Sequence, residues 1–186
     1  AQATPDMLTQ LLKFVNKHDK TALLPVIESG HERIAGYWYH RFSGLIFSHT
    51  AIGTFPYLTG CCLLVDRRIV DEGLFDEDFF MYGEDVELSW RLRLSGWETA
   101  CVSQARVLHE GTGSSHHGGL FYEHHVARGH LLLAKKLAKH RWEVPCLYLG
   151  SLLTLSARAV LRAIRFQSFV PISAWIKALQ NIFIQR

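Results

Sequence analysis

Apolar residues recur along this chain at two spacings, and the switches between them mark its elements. Residues 4–18 predict a helix: Thr4 stands at the cap, Pro5 at the first helical position and Asp6 at the positive end. Met7, Leu8, Leu11, Leu12, Phe14 and Val15 supply its apolar stripe. TALLPVIE (21–28) is almost continuously apolar and predicts a short buried strand, made imperfect by Pro25, which has no N–H to give a neighbour. Residues 30–56 mix Gly, His and aromatics without a period, which predicts turns and short strands. YLTGCCLLV (57–65) predicts another buried strand, in which Gly60 lets a group approach the backbone.

Residues 66–72 predict one helical turn stopped by Gly73, followed by an acidic, aromatic loop to Tyr82. In GEDVELSWRLRLSGW the helical signal is strongest: Val86, Trp90 and Leu94 share one spacing, Leu88 and Leu92 another, and Gly96 is a C-terminal stop. TACVS (99–103) and ARVLH (105–109) predict strand pieces, GTGSSHHGG (111–119) a loop, and 120–140 a second long helix. The uncharged run 144–157 is short of the roughly 20 residues that span a bilayer. Arg158, Arg162 and Arg165 follow on one helix face, Pro171 interrupts, and ISAWIKALQNIFI adds a further apolar face. These segments predict amphipathic helices, resting either on a lipid surface or on the protein's own core.

Composition changes this picture little, and charge changes it more. The chain has 186 residues, 48% hydrophobic and 12% aromatic, which excludes a disordered chain; 14 Gly, 5 Pro and 4 Cys exclude a collagen-like chain or a disulfide scaffold. The formal charge of +3 conceals an asymmetry: residues 1–127 carry a balance of −6 and residues 128–186 one of +9, with Glu143 the single acid of the second segment. A basic, apolar tail suits an anionic partner, or else is a solvated face. Its spacing matches no nucleic-acid module, so no nucleic-acid partner is expected. Cys61, Cys62, Cys101 and Cys146 form no Cys-x-x-Cys pair, which points to reduced thiols and a cytoplasmic location, and the N-terminus lacks a signal-peptide pattern.

Nine carboxylates fall within 66–87. Most such runs are solvated surface, but Glu84-Asp85 follows an aromatic run and a glycine and opens a helix, where free N–H groups favour an ionised carboxylate. There a carboxylate acts as a general base, as a helix cap, or as both. His109 ends an apolar strand beside a Gly-rich loop, a position where imidazole serves either as a metal ligand or as a structural residue. His109-Glu110 does not continue into a zinc-protease motif, because Gly113 stands where the second His belongs. His116, His117, His124, His125 and His130 lack the thiolate expected of a structural zinc site, and neither a P-loop nor a hydrolase elbow occurs.

The run YLTGCCLLVDRRIVDEGLFDEDFFMYGEDVELSWRLRLSGW resembles the second half of the catalytic domain of family 2 glycosyltransferases, most closely the bacterial rhamnosyltransferase-type branch. The features that carry the resemblance, in order, are Gly60, Arg67-Arg68, Gly73 to Glu77, Phe79 to Asp85, Arg93 with Gly96-Trp97, and VLHEGTGSS, and it covers about residues 1–140. It implies an α/β fold, the acceptor-side half of a GT-A, Rossmann-like sandwich over 1–140, followed by a basic amphipathic helical tail over 141–186. It further implies inverting transfer of a sugar from a nucleotide-sugar donor to a saccharide or lipid-linked acceptor.

In that likeness Asp85 is the catalytic base, Glu84 and Gly60 bind the acceptor, and His109 assists a divalent metal, Mn²⁺ or Mg²⁺, at the donor diphosphate. The helix that usually carries Arg-Asn here has Arg128-Gly129. The family's donor half and its Asp-x-Asp motif are expected ahead of AQATPDMLTQ, so an isolated chain of this kind is expected to show little transfer. A peripheral place on the inner face of the cell membrane follows from the tail. The competing expectation is a membrane-associated binding or scaffold protein with a degenerate transferase core.

Overall fold

The computed structural model describes residues 1–30, 32–109 and 118–184. It is a mixed α/β structure whose contacts divide into two units: Ala1–Tyr39, Ile46–Asp76 and Asp85–Gly111 form the first, His40–Leu45, Glu77–Glu84 and Thr112–Arg186 the second.

The first unit is built on β2 (Thr21–Ser29) and β8 (Glu98–Leu108), which pair in parallel. β1 (Gln2–Ala3) joins β8, while β3 (Glu32–Ile34) and β7 (Leu64–Val65) join β2, all antiparallel. Successive β2 side chains face opposite sides of the sheet. Ala22 and Leu24 pack with Leu58, Ile69, Leu88 and Leu92, whereas Leu23 packs with Leu11, Val102 and Ala105. Helix α1 (Met7–Val15) supplies Leu11 on one face; α2 (Arg67–Asp71) and α3 (Glu84–Leu94) cover the other. A strand covered on both faces is apolar throughout, which is why 21–28 shows no alternation. Pro25 is tolerated because the β2–β8 register shifts between Pro25 and Val26, and the two predicted pieces 99–103 and 105–109 are one strand kinked at that bulge.

A three-stranded sheet of β5 (Ile46–Phe47), β4 (Tyr37–His40) and β6 (Thr54–Tyr57), in that order, includes the aromatics Tyr39, Phe55 and Tyr57. Phe55 meets Trp90 of α3 at 4.9 Å between ring centroids. Helix α3 is therefore clasped on two sides, Leu88 and Leu92 toward the main sheet and Trp90 toward the aromatics, and Val86 to Trp90 are all buried. The predicted strand over 57–65 is corrected: only Thr54–Tyr57 and Leu64–Val65 are extended in ladders. Two of the intervening N–H groups find side-chain acceptors instead, Leu58 donating to Ser89 Oγ at 2.9 Å and Gly60 to Asp85 Oδ2 at 3.2 Å.

In the second unit, α4 (Leu120–Lys136), a 3₁₀ turn (Arg141–Glu143), α5 (Val144–Phe166) and α6 (Val170–Ile184) enclose Ala127, Leu131, Leu155, Ala159, Trp175 and Ala178. Pro171 lies in the first turn of α6 rather than interrupting it, and Gln167, with φ of 49°, ends α5. Two arginines of the predicted basic face of α5 find a partner within the protein, the second of the two expectations stated for it. Arg158 and Arg162 turn inward onto Glu123, which is 1% exposed, at 2.8 and 2.6 Å. Arg162 also lies over the Tyr122 and Phe166 rings. Glu143 is held by Arg41 and by the N–H groups of Lys139 and His140, which keep its carboxyl below the usual range although burial acts the other way.

Gly129 admits the chain just before α3. A Cβ there would overlap the carbonyl oxygen of Tyr82, and Tyr82 itself has a φ of 65°. Gly129→Ala is expected to destabilise the protein by about 2–3 kcal/mol, since backbone rather than a flexible side chain must yield. Urea denaturation followed by circular dichroism measures this; a loss below about 0.5 kcal/mol contradicts the close approach.

Candidate functional site

Most acids of 66–87 are absorbed by neighbours. Asp66 caps α2 and binds Arg68, whose guanidinium and N–H hold its carboxyl down to about 2. Glu87 pairs with Arg91 at 3.2 Å, and Arg91 also donates to the Leu74 carbonyl, tying the preceding loop to α3. Asp78 takes Lys136 at 2.6 Å. The Arg67-Arg68 pair is thereby structural in part: Arg68 also reaches Asp19 and lies over the Trp97 ring.

Glu84 and Asp85 differ. The Asp85 carboxylate spans two elements: Oδ1 accepts from the Val86 N–H at 2.8 Å, inside the first turn of α3, and Oδ2 accepts from the Gly60 N–H at 3.2 Å. The Asp85 carbonyl accepts from Ser89 Oγ at 2.7 Å, and Ser89 in turn accepts from Leu58. Two rungs thus fix the opening of α3 against residues 58–60, and the N–H groups of Gly60 and Val86 favour the ionised form of the Asp85 carboxylate. Tyr57 stands nearby; burial and then the Asp85 charge push its phenol well above the usual value, so it remains a neutral hydroxyl. The Cys61 thiol is likewise pushed up, mainly by burial.

Glu84 is half-buried, and its Oε2 is buried without a hydrogen-bond partner among the described residues. A buried carboxylate oxygen of this kind is suited to accept from a ligand hydroxyl or N–H. Gly60 is exposed and lies in the turn between β6 and β7, so it presents backbone rather than a strand face.

His109 follows β8, its N–H bound to the Glu28 carbonyl at 2.9 Å. Its Nδ1 is buried without a hydrogen-bond partner among the described residues, which fits one coordination bond to a metal. No group of three or more His, Cys, Asp or Glu side chains able to hold a metal exists among the described residues. The loop 111–117, with His116 and His117, lies outside the described residues. His124 faces His125 and Asn181 Nδ2, and the His130 imidazole is held down to about 4 by burial and then by Arg158, so it stays neutral near pH 7.

The geometry therefore joins Asp85 to Gly60 by a direct hydrogen bond and sets His109 at the end of β8. Sequence reasoning missed Ser89 and Tyr57. Ser89 carried a faint signal, the lone hydroxyl of its helix and four residues after Asp85, whereas nothing local marks Tyr57. A cleft of about 290 Å³ in the same unit is lined by Tyr37, Trp38, Tyr57, Thr99 and Cys101 among others, and Tyr37 and Tyr57 stack at 6.0 Å.

No family model matches the chain. Over 75 residues, 40% of this chain and 24% of the relative, it is 43% identical to the N-acetylglucosaminyl-diphospho-decaprenol L-rhamnosyltransferase of Mycobacterium tuberculosis, in both strains CDC 1551 / Oshkosh and ATCC 25618 / H37Rv. Over 58 residues, 31% of this chain and 4% of the relative, it is 36% identical to the O-antigen biosynthesis protein RfbC of Myxococcus xanthus. The chain thus spans about a quarter of the rhamnosyltransferase's length.

Proposed function

We propose that this chain forms the acceptor side of a glycosyltransferase that moves a sugar from a nucleotide-sugar donor to a saccharide or lipid-linked acceptor with inversion at the anomeric carbon. The observation that carries the reading is the Asp85 carboxylate, pinned between the Gly60 N–H and the first turn of α3. A sugar hydroxyl is a weak nucleophile until its proton is taken, and an ionised carboxylate held in one orientation can take it as the new bond forms. Glu84 Oε2 would accept from a second acceptor hydroxyl, and the half-buried Tyr37 ring, backed by Tyr57, offers a flat apolar face to a sugar ring. The named function of the partial relative, rhamnosyl transfer to a diphospho-decaprenol-linked sugar, supports a lipid-linked saccharide as acceptor class.

A divalent ion, Mn²⁺ or Mg²⁺, would be held by His109 Nδ1 together with donor phosphate oxygens. Bound there, such an ion offsets charge on a departing nucleoside diphosphate. The nucleoside-binding residues are proposed to come from sequence beyond this chain.

The test is transfer by the polypeptide that carries residues 1–186, with the product's anomeric configuration read by NMR. Inversion relative to the donor is the expected result; retention rules out a single-displacement role for Asp85. The competing reading, a binding or scaffold protein built on a degenerate core, predicts saccharide binding without product.

A further inference from the structure

Helix α5 presents an apolar face to solvent that the protein's own packing leaves uncovered. Its inward line is Leu147, Ser151, Leu155 and Ala159, all buried against α4 and α6. Directly opposite lie Leu149, Leu153, Val160 and Ile164, exposed by 59%, 66%, 51% and 70%. At 3.6 residues per turn these four fall within an arc of roughly 60°, and the roughly 100° around it adds only Cys146, Ser156 and Ala157, with no charge, before Gly150 meets the Phe42 backbone at one border. Two exposed aromatics bracket the helix: Trp142, 72% exposed, just before it, and Phe169, 84% exposed, just after.

Arg141–Phe166 is long and apolar enough to cross a membrane by length and composition, yet only 22% of its apolar stretch is buried inside the protein. A core helix would be mostly buried. A spanning helix would have to give up the packing of Leu155 and Ala159 and the pairing of Arg158 and Arg162 with Glu123, leaving charges in hydrocarbon. The arrangement that satisfies both faces lies in the plane of an interface, one side on the protein and the other in lipid.

We infer that this face of α5 docks the protein on the surface of an anionic bilayer. Charge selects that occupant. Arg141 precedes α5 and Arg165 lies in its last turn, both exposed. A second copy meeting the same face symmetrically would oppose basic flank to basic flank, whereas anionic headgroups attract them. Trp142 and Phe169 at the helix ends suit the headgroup boundary, where aromatic residues concentrate. This docking does not rest on the transfer reaction, and it is measured without donor or acceptor.

The experiment is flotation of the chain with phosphatidylcholine vesicles and with vesicles that also contain phosphatidylglycerol. The chain is expected to float with the anionic vesicles, and added salt to weaken that binding. Leu153→Asp/Ile164→Asp is expected to lower partitioning at least tenfold on both vesicle types, and Arg141→Glu/Arg165→Glu to lower it on anionic vesicles alone. A second readout is independent of these variants: an environment-sensitive fluorophore on Cys146, the exposed thiol, is expected to shift its emission to the blue when anionic vesicles are added. Failure to float, unchanged partitioning of the Leu153/Ile164 variant with unchanged Cys146 emission, or a dimer that this variant dissociates without vesicle binding each overturns the inference.

Discussion

Asp85→Asn is expected to lower the turnover of sugar transfer by about 10² to 10⁴ while leaving the acceptor KM within a few-fold, because the side chain keeps its size and loses only its basicity. In free energy that is about 3–5 kcal/mol of transition-state stabilisation. The structural cost is smaller. In the native protein both carboxylate oxygens accept N–H groups, from Val86 and from Gly60. An amide keeps one acceptor and sets a donor against the other N–H, worth about 1 kcal/mol of stability. A large kinetic loss with a small stability loss therefore separates a base from a cap, since a residue that only caps α3 shows the reverse. Asp85→Glu restores the charge but displaces it, and is expected to fall between the two. Turnover of the Asn variant within tenfold of the native protein would remove Asp85 from the chemistry.

Glu123→Gln is expected to destabilise the second unit by about 3–5 kcal/mol, because it leaves two arginines packed against a neutral amide. Glu123 is 1% exposed, and its two oxygens receive Arg158 Nη1 at 2.8 Å and Arg162 Nε at 2.7 Å. Neither charge is readily hydrated there, as Arg158 and Arg162 are 28% and 17% exposed and lie over Tyr122. Urea denaturation followed by fluorescence, in a background where Trp38, Trp90, Trp97 and Trp142 are replaced by Phe, reads this unit, since Trp175 is buried in its core. The triple change Glu123→Gln/Arg158→Met/Arg162→Met is expected to recover much of the loss, because apolar groups of similar length need no counter-charge. A single-variant loss under about 1 kcal/mol would mean that the ion triad contributes little to holding α4 to α5.

These two predictions rest on residues that were legible in the sequence to different degrees. Glu84-Asp85 stood out locally: an aromatic run, a glycine and a helix start place a carboxylate beside free N–H groups, and that much is a property of neighbours in the chain. The buried strand at 21–28, the helix from Glu84 and the two tail helices were equally local, because their apolar spacing is set by strand and helix periods.

Tertiary structure alone decided the rest, wherever a group's partner is far along the chain. The segment 57–65 has the composition of a strand, but Ser89 and Asp85 take its N–H groups and hold it as a turn. Arg158 and Arg162 share one face of α5 in any helical reading, yet whether that face meets water, lipid or Glu123 depends on a helix some 35 residues earlier. Gly129 looks like a weak point in a helix until the Tyr82 carbonyl is seen to need its missing Cβ. Sequence by itself determined the longer helices, the buried strand at 21–28 and where one helix-opening carboxylate sits, since these follow from short-range geometry. Which side of each helix is inside, and which polar groups answer one another, followed only once long-range packing had chosen among faces of similar hydrophobicity.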